Sequence, residues 1–219
     1  MNFPDALLPE AWQWTAHGLL LLLAVALVRA PWARLRNAAT LNIWLAAIVV
    51  LMLLWSVKTG FKPGLNLHLL GATALTLMFG PALALAALAL VVAAITLAGQ
   101  AGWHAYSMNV LLLGGVPVAV SYGLFRAVDR RLPNHFFVYV FINAFFGGAL
   151  AMGITGLVST LVLVLAGLYP MNYLSEQYLP YYILMAWSEA LLTGMAISLM
   201  VVFRPAWIAT FDDVRYLNR

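Results

Sequence analysis

Charged residues are scarce in this chain, and their scarcity excludes a water-soluble fold. Only 8% of its 219 residues are charged, whereas 65% are hydrophobic. A soluble domain averages about 25% charged residues, so this chain has too few polar side chains to cover a surface in water. Lipid is therefore expected to be the solvent for most of the protein.

Other absences exclude whole classes of function. Cysteine is missing, which excludes disulfides and thiolate metal sites. No G-x-x-x-x-G-K-[ST] phosphate loop is present, so the chain is not expected to hydrolyse ATP itself. No basic cluster interleaves with aromatic residues, and we expect no nucleic-acid partner despite the net charge of +4. The acidic start, with Asp5 and Glu10, lacks the positive region of a secretory signal, so the N-terminus is expected to be retained.

Long apolar runs dominate what is present. A membrane-spanning helix needs roughly 20 mainly apolar residues. Residues 65–98 carry no charge and are divided at Gly80–Pro81, because proline cannot continue a helix without losing a bond. The predicted spans are residues 14–28, 41–57, two within 65–98, 107–125, 136–168 and 181–203. Four glycines in the sixth span predict close helix packing: Gly147, Gly148, Gly153 and Gly156. The sequence thus predicts an all-α integral membrane protein of about seven transmembrane helices, with residues 1–219 forming a single transmembrane domain.

Positive charge segregates between alternate loops of this seven-span arrangement. Nine arginines fall on one side, namely Arg29, Arg34, Arg36, Arg126, Arg130, Arg131, Arg204, Arg215 and Arg219. Only Lys58 and Lys62 fall on the other side. Because cytoplasmic loops are enriched in Lys and Arg, the bias predicts an N-terminus outside and a C-terminus in the cytoplasm of a multi-pass protein of the cell (inner) membrane.

Polar groups inside apolar runs are candidate functional sites, because they are costly in a bilayer. His68 is either an interfacial histidine bonded to a neighbouring helix or a metal ligand. Glu189 is a structural carboxylate bonded to polar groups of another span, part of a proton or cation relay, or a group that supports a ligand from behind. Asn109 and Asn143 favour hydrogen bonds between helices. Five tryptophans fall near predicted span ends and are interpreted as an interfacial belt: Trp12, Trp14, Trp55, Trp103 and Trp207.

Three sequence blocks resemble the cobalt/nickel permease family, of CbiM/NikM type, which forms the substrate-capture subunit of energy-coupling-factor ABC transporters. The first is the N-terminal stretch MNFPDALLP. The second is GLNLHLLG, followed by LMFGP. The third is EALLTG, followed by FRP, and with Asn109 and Gly114 between them the blocks extend over nearly the whole chain.

The resemblance implies a bound divalent metal and a set of ligands for it. In the family these come from the N-terminal amine, the second residue and a histidine of the third span, which here are Met1, Asn2 and His68. Such nitrogen ligands suit a square-planar nickel or cobalt site. The chain departs from the family at Asn2, which replaces a histidine, and at Gln100, which occupies the place of a loop histidine. His104, which follows four residues later, and His17 are candidate replacement ligands.

The resemblance therefore implies a non-enzymatic capture subunit for transition-metal uptake, with the metal as transported substrate and no permanent cofactor. The implied partners are a transmembrane coupling subunit, cytoplasmic ATPase subunits and the lipid bilayer. One alternative keeps the fold but binds a vitamin or similar molecule between Trp103, Tyr106 and the tyrosines of residues 169–182. Another is an intramembrane metalloenzyme, which would need an H-E-x-x-H motif that the chain lacks. A non-transporting membrane assembly protein is the third.

Overall fold

The computed structural model describes residues 2–5, 7–60 and 62–217, and its regular structure is almost entirely helical. The helices are α1 (Glu10–Val28), α2 (Ala38–Ser56), α3 (Ala72–Phe79), α4 (Pro81–Leu97), α5 (Tyr106–Arg131), α6 (Phe136–Leu165), α7 (Met171–Gln177), α8 (Leu179–Phe203) and α9 (Asp213–Tyr216). Short 3₁₀ turns lie at Trp32–Arg36 and Pro205–Trp207. A two-stranded antiparallel hairpin pairs β1 (Thr59–Gly60) with β2 (Asn66–Leu67).

Within the described residues, the four helices α2, α5, α6 and α8 are long and apolar enough to cross a membrane. The apolar helix α4 is shorter, at 17 residues. Every apolar segment predicted from the sequence overlaps a helix, so the all-α membrane fold is confirmed. The count of seven spans and the orientation of the termini stay predictions.

The third predicted segment differs from a full span, because its helix is short. The helix α3 begins at Ala72 and has only eight residues. Residues 68–71 before it are not helical, and Gly71 adopts φ +64°, a left-handed conformation that a β-carbon disfavours. His68 therefore precedes the helix and lies just after β2, rather than one turn inside a span. The predicted break at Gly80–Pro81 is confirmed, since Gly80 has φ +81° and Pro81 begins α4.

The last carbonyls of α3 have partners from distant parts of the chain. The backbone N–H of Ala209 donates to Met78 O at 2.9 Å, and the Thr210 hydroxyl donates to Leu77 O at 2.8 Å. The Arg34 guanidinium donates to Phe79 O at 3.0 Å. A helix end buried without such partners would leave polar groups unsatisfied at considerable cost. These contacts explain how so short a helix persists inside an apolar bundle.

Close packing between α6 and α8 depends on two of the four glycines. A β-carbon on Gly156 would overlap the ring of Tyr182, and one on Gly148 would lie 3.1 Å from Glu189 O. Gly147 meets its neighbours at ordinary contact distances, and a β-carbon on Gly153 would face open space. The predicted glycine packing is therefore confirmed at Gly148 and Gly156 and is wrong at Gly153.

Candidate metal site

The N-terminal segment is inserted into the bundle and held there by its backbone. Phe3 is completely buried. Its N–H donates to Asn109 Oδ1 at 2.8 Å, and Asn109 Nδ2 donates back to Phe3 O at 3.1 Å. Gly102 N–H donates to the same carbonyl at 3.1 Å. Asn109 was expected to bond another helix, and it instead anchors the segment that carries residue 2.

This anchoring places Asn2 against His68. Both side chains are buried, with 3% and 2% of their surface exposed. Asn2 Oδ1 lies 3.0 Å from His68 Nε2, and the Asn2 backbone N–H donates to Asn66 Oδ1 at 2.6 Å. Residues separated by 66 positions in the chain are thereby brought together, as the family resemblance implies.

The His68 imidazole presents one nitrogen towards Asn2. Its Nδ1–H is placed to donate to Leu69 O, 3.0 Å away. A buried imidazole is disfavoured as a cation, so the neutral form, which carries its proton on Nδ1, directs the Nε2 lone pair at Asn2 Oδ1. Two acceptors cannot bond each other. The Nε2 lone pair is satisfied if the Asn2 amide turns so that its Nδ2 group, which has no partner among the described residues, donates to it. A metal ion between the two side chains would satisfy it as well.

Trp55 packs against the other side of His68. The two ring centroids are 4.5 Å apart, and Trp55 is completely buried. Its indole N–H donates to Leu70 O at 3.1 Å. The interpretation of Trp55 as an interfacial belt residue is therefore wrong: it forms a wall of the site and fixes the backbone after His68.

Glu189 of α8 also bonds the backbone that follows His68. Its two carboxylate oxygens accept from Leu70 N–H at 2.8 Å and Gly71 N–H at 2.7 Å. Thr193 Oγ1 lies 3.5 Å from Oε1. A carboxylate at the N-terminus of α3 satisfies amides that have no intrahelical acceptor. Glu189 thus bonds polar groups of another segment, as the structural one of its three interpretations predicts.

The remaining predicted ligands lie differently. Met1 is outside the described residues. His104 is exposed, and its backbone N–H, rather than its ring, donates to Asp5 Oδ1 at 2.6 Å. Gly102 packs tightly against Asp5, which leaves no room for a β-carbon there. The His104 ring has no hydrogen bond to Asn2 or His68 in the part of the chain that the structure describes.

Other chemistries find less support. Among the described residues, no group of three or more His, Cys, Asp or Glu side chains could hold a metal ion. A metalloenzyme site of the common kind would need such a trio. The tyrosines Tyr173, Tyr178 and Tyr181 do line one pocket, of about 150 Å³, without Trp103 or Tyr106. Ligand pockets for organic molecules measure about 300–1,000 Å³, so this pocket is small for a vitamin. Tyr182 lines a larger pocket between α6 and α8, of about 800 Å³, and neither Trp103 nor Tyr106 lines that one.

Sequence reasoning missed Asn66, Asn109 and Trp55 as parts of the site. Two of them are carboxamides at positions where an apolar residue would serve a spanning helix better, and that was the available signal. Their roles depend on contacts across 64 and 106 positions of the chain. No local pattern encodes such distances.

Comparisons with known proteins identify a family and a shared fold. The family model CbiM, described as the cobalt uptake substrate-specific transmembrane region, matches residues 2–207. A crystal structure of a truncated transition metal transporter superimposes with a TM-score of 0.79 at 17% identity, covering 92% of this chain and 99% of that one. A second transition metal transporter gives 0.78 at 17% identity, covering 92% and 93%. At this identity the two structures show a shared fold. No curated protein sequence matches.

Proposed function

This chain belongs to the CbiM family of cobalt-uptake transmembrane proteins, and from that premise we propose that it captures a divalent transition metal, of the nickel or cobalt kind, for uptake. The observation that carries the proposal is the burial of residue 2 against His68, with an Nε2 lone pair directed at the Asn2 side chain. Neutral imidazole is a common ligand for late first-row metals. Membership of the family points to a transporter rather than an enzyme.

The proposed ligands are the Met1 amine, Asn2 and His68, with His104 as a further candidate from the neighbouring loop. The fold contributes two things to capture. The Asn109–Phe3 bonds hold the N-terminal segment inside the bundle, and Trp55 with Glu189 fixes the backbone that carries His68. Capture would then convert a segment held by hydrogen bonds into one that the metal also holds.

Transport requires parts that this chain does not supply. We place it in the inner membrane as a multi-pass single transmembrane domain with its N-terminus outside. A transmembrane coupling subunit and cytoplasmic ATPases of the energy-coupling-factor type would provide the energy. The support for this is the family resemblance and the lack of a phosphate-binding loop in the sequence.

Metal titration tests the proposal directly. Detergent-purified protein with a native N-terminus is titrated calorimetrically with nickel, cobalt, copper and zinc. We expect sub-micromolar affinity for at least one metal and a loss of about 100-fold or more in His68→Ala, because a ligand is removed. The matched control is His135→Ala, since His135 caps the N-terminus of α6 and makes no contact with the site.

Two further results bear on individual ligands. Acetylation of the N-terminus should weaken binding if the Met1 amine is a ligand, and His104→Ala should weaken it only if that ring turns inwards. The proposal fails if the native protein binds none of the four metals. It also fails if His68→Ala binds as tightly as the His135→Ala control.

A further inference from the structure

A positively charged pocket opens beside Asn2. We call it the lysine pocket; its volume is about 420 Å³ and its lining includes Asn2, Lys58, Lys62, Gly64, Asn66 and Gln100. It lies between the N-terminal segment, the β1–β2 hairpin and the loop after α4. Asn2 and Asn66 belong both to this pocket and to the candidate metal site, so a ligand in the pocket would adjoin a metal at His68.

Both lysines keep their charge available to a ligand. The Lys58 ammonium donates to Gln100 O at 3.1 Å, and the Lys62 ammonium lies 4.1 Å from the centre of the Tyr173 ring. Neither makes an ion pair in the described part of the chain, where the one salt bridge joins Arg215 to Asp129. Partial burial lowers the pKa of Lys58, a shift that a bound anion would oppose.

No acidic residue among the described residues that line the lysine pocket balances the charges of Lys58 and Lys62. The Asp5 and Glu189 carboxylates lie outside this lining, and both accept from backbone N–H groups, Asp5 from His104 and Glu189 from Leu70 and Gly71. In the pocket a bare dication would therefore meet two ammonium groups and no carboxylate in the lining, whereas an anionic ligand would meet two cations that form no ion pair among the described residues.

Resting on the proposed metal capture, we propose that the metal enters as a complex with a small carboxylate-bearing chelator, whose carboxylates occupy the lysine pocket. The complex must keep open coordination positions. Water leaves the metal, His68 Nε2 takes its place, and the carboxylates stay on the metal while facing Lys58 and Lys62. Each protein donor that binds, His68 Nε2 and the proposed Asn2 and Met1 groups alike, displaces one water, and an N-terminal ammonium that binds releases its proton. A divalent metal that keeps two carboxylates stays neutral overall in the buried site.

Two nickel complexes of matched shape separate charge from coordination. Iminodiacetate and diethylenetriamine are both tridentate and leave the same number of open positions, but the first complex is neutral and carries two carboxylates, and the second is a dication. We expect the iminodiacetate complex to bind at least about tenfold more tightly, because two nearby ammonium groups each change the affinity of a charged ligand several-fold. The preference should shrink in about 1 M salt, where the Debye length falls to about 3 Å.

Variants of the two lysines test whether they cause the preference for the iminodiacetate complex. The double variant Lys58→Gln/Lys62→Gln keeps a donor for Gln100 O and should reduce the preference to below about threefold. Arg126→Gln, which removes one exposed charge from α5, is the control and should leave the preference unchanged.

Equal or tighter binding of the diethylenetriamine complex by the native protein would overturn this inference, as would a preference that survives the double variant. If free nickel binds and only the preference is missing, the chelate inference alone fails. If neither free nickel nor either complex binds, the metal-capture proposal fails, and this inference fails with it.

Discussion

Replacing the Glu189 carboxylate with an amide should loosen the backbone next to His68. Glu189 accepts two backbone bonds, from Leu70 N–H at 2.8 Å and Gly71 N–H at 2.7 Å. In Glu189→Gln one oxygen remains, and the other position becomes an NH₂ group that faces an N–H. One bond is therefore lost, the other loses its charge assistance, and a backbone N–H and the new NH₂ group face each other without an acceptor between them.

The cost follows from these two contacts. Charge-assisted bonds contribute about 1.5–3 kcal/mol each, and an unpaired buried donor costs about 1–3 kcal/mol. Local relaxation recovers part of this, so we expect the native backbone conformation to lose about 2–3 kcal/mol. Because 1.4 kcal/mol is a factor of ten, opening of this stretch should become about 30–150 times more frequent. Metal affinity follows the closed fraction of the protein, so it should fall measurably only if the open form becomes a large part of the population.

Hydrogen exchange at the Leu70 and Gly71 amides measures the opening without any metal. Nickel titration measures its effect on the site, and a thermal scan reports whether the whole bundle is weakened. The matched control is Glu176→Gln, because Glu176 is exposed on α7 and makes no hydrogen bond to the site. Exchange and affinity both within threefold of the native protein would refute the positioning role of Glu189.

Two further changes test the packing and the anchor. Gly156→Ala should lower the free energy of unfolding by about 1–3 kcal/mol, because its β-carbon overlaps the buried Tyr182 ring. The control Gly153→Ala faces open space and should change that free energy by less than about 0.5 kcal/mol. Equal thermal midpoints for the two variants would contradict the packing. Asn109→Leu removes both hydrogen bonds to Phe3, which contribute about 2 kcal/mol to holding the N-terminal segment in place. Hydrogen exchange at the Phe3 amide should therefore rise by about 30-fold. Unchanged exchange there would show that the segment is held by other contacts.

Sequence patterns predicted the helices better than they predicted the candidate metal site. The Gly80–Pro81 break was predicted because proline acts locally on the backbone, and the structure places α4 at that proline. The start of α3 was not predicted, because an uncharged run gives no sign that Gly71 turns left-handed or that Glu189, 118 positions away, accepts its N–H. Hydropathy therefore overextended the helix to include His68.

The site itself came from resemblance rather than from pattern. Asn2 and His68 were paired because they occupy positions that hold ligands in the family, and the structure brings them to 3.0 Å. The role of Trp55 was missed because a tryptophan near a helix end is usual at a membrane surface. Only the three-dimensional arrangement shows that its ring packs on His68, 4.5 Å between centroids.

The short helix α3 links the two ends of the protein mechanically. Eight residues at 1.5 Å each make a rod of about 12 Å, too short to bend appreciably. Glu189 holds the amides at one end, two residues after His68, and Thr210 bonds the Leu77 carbonyl at the other. A displacement of residues 204–212 that keeps the bonds to Leu77 and Met78 would move the C-terminal end of α3 with it. Residues 68–71, which join the other end of α3 to His68, are the part of the chain through which such a movement would change the position of the imidazole.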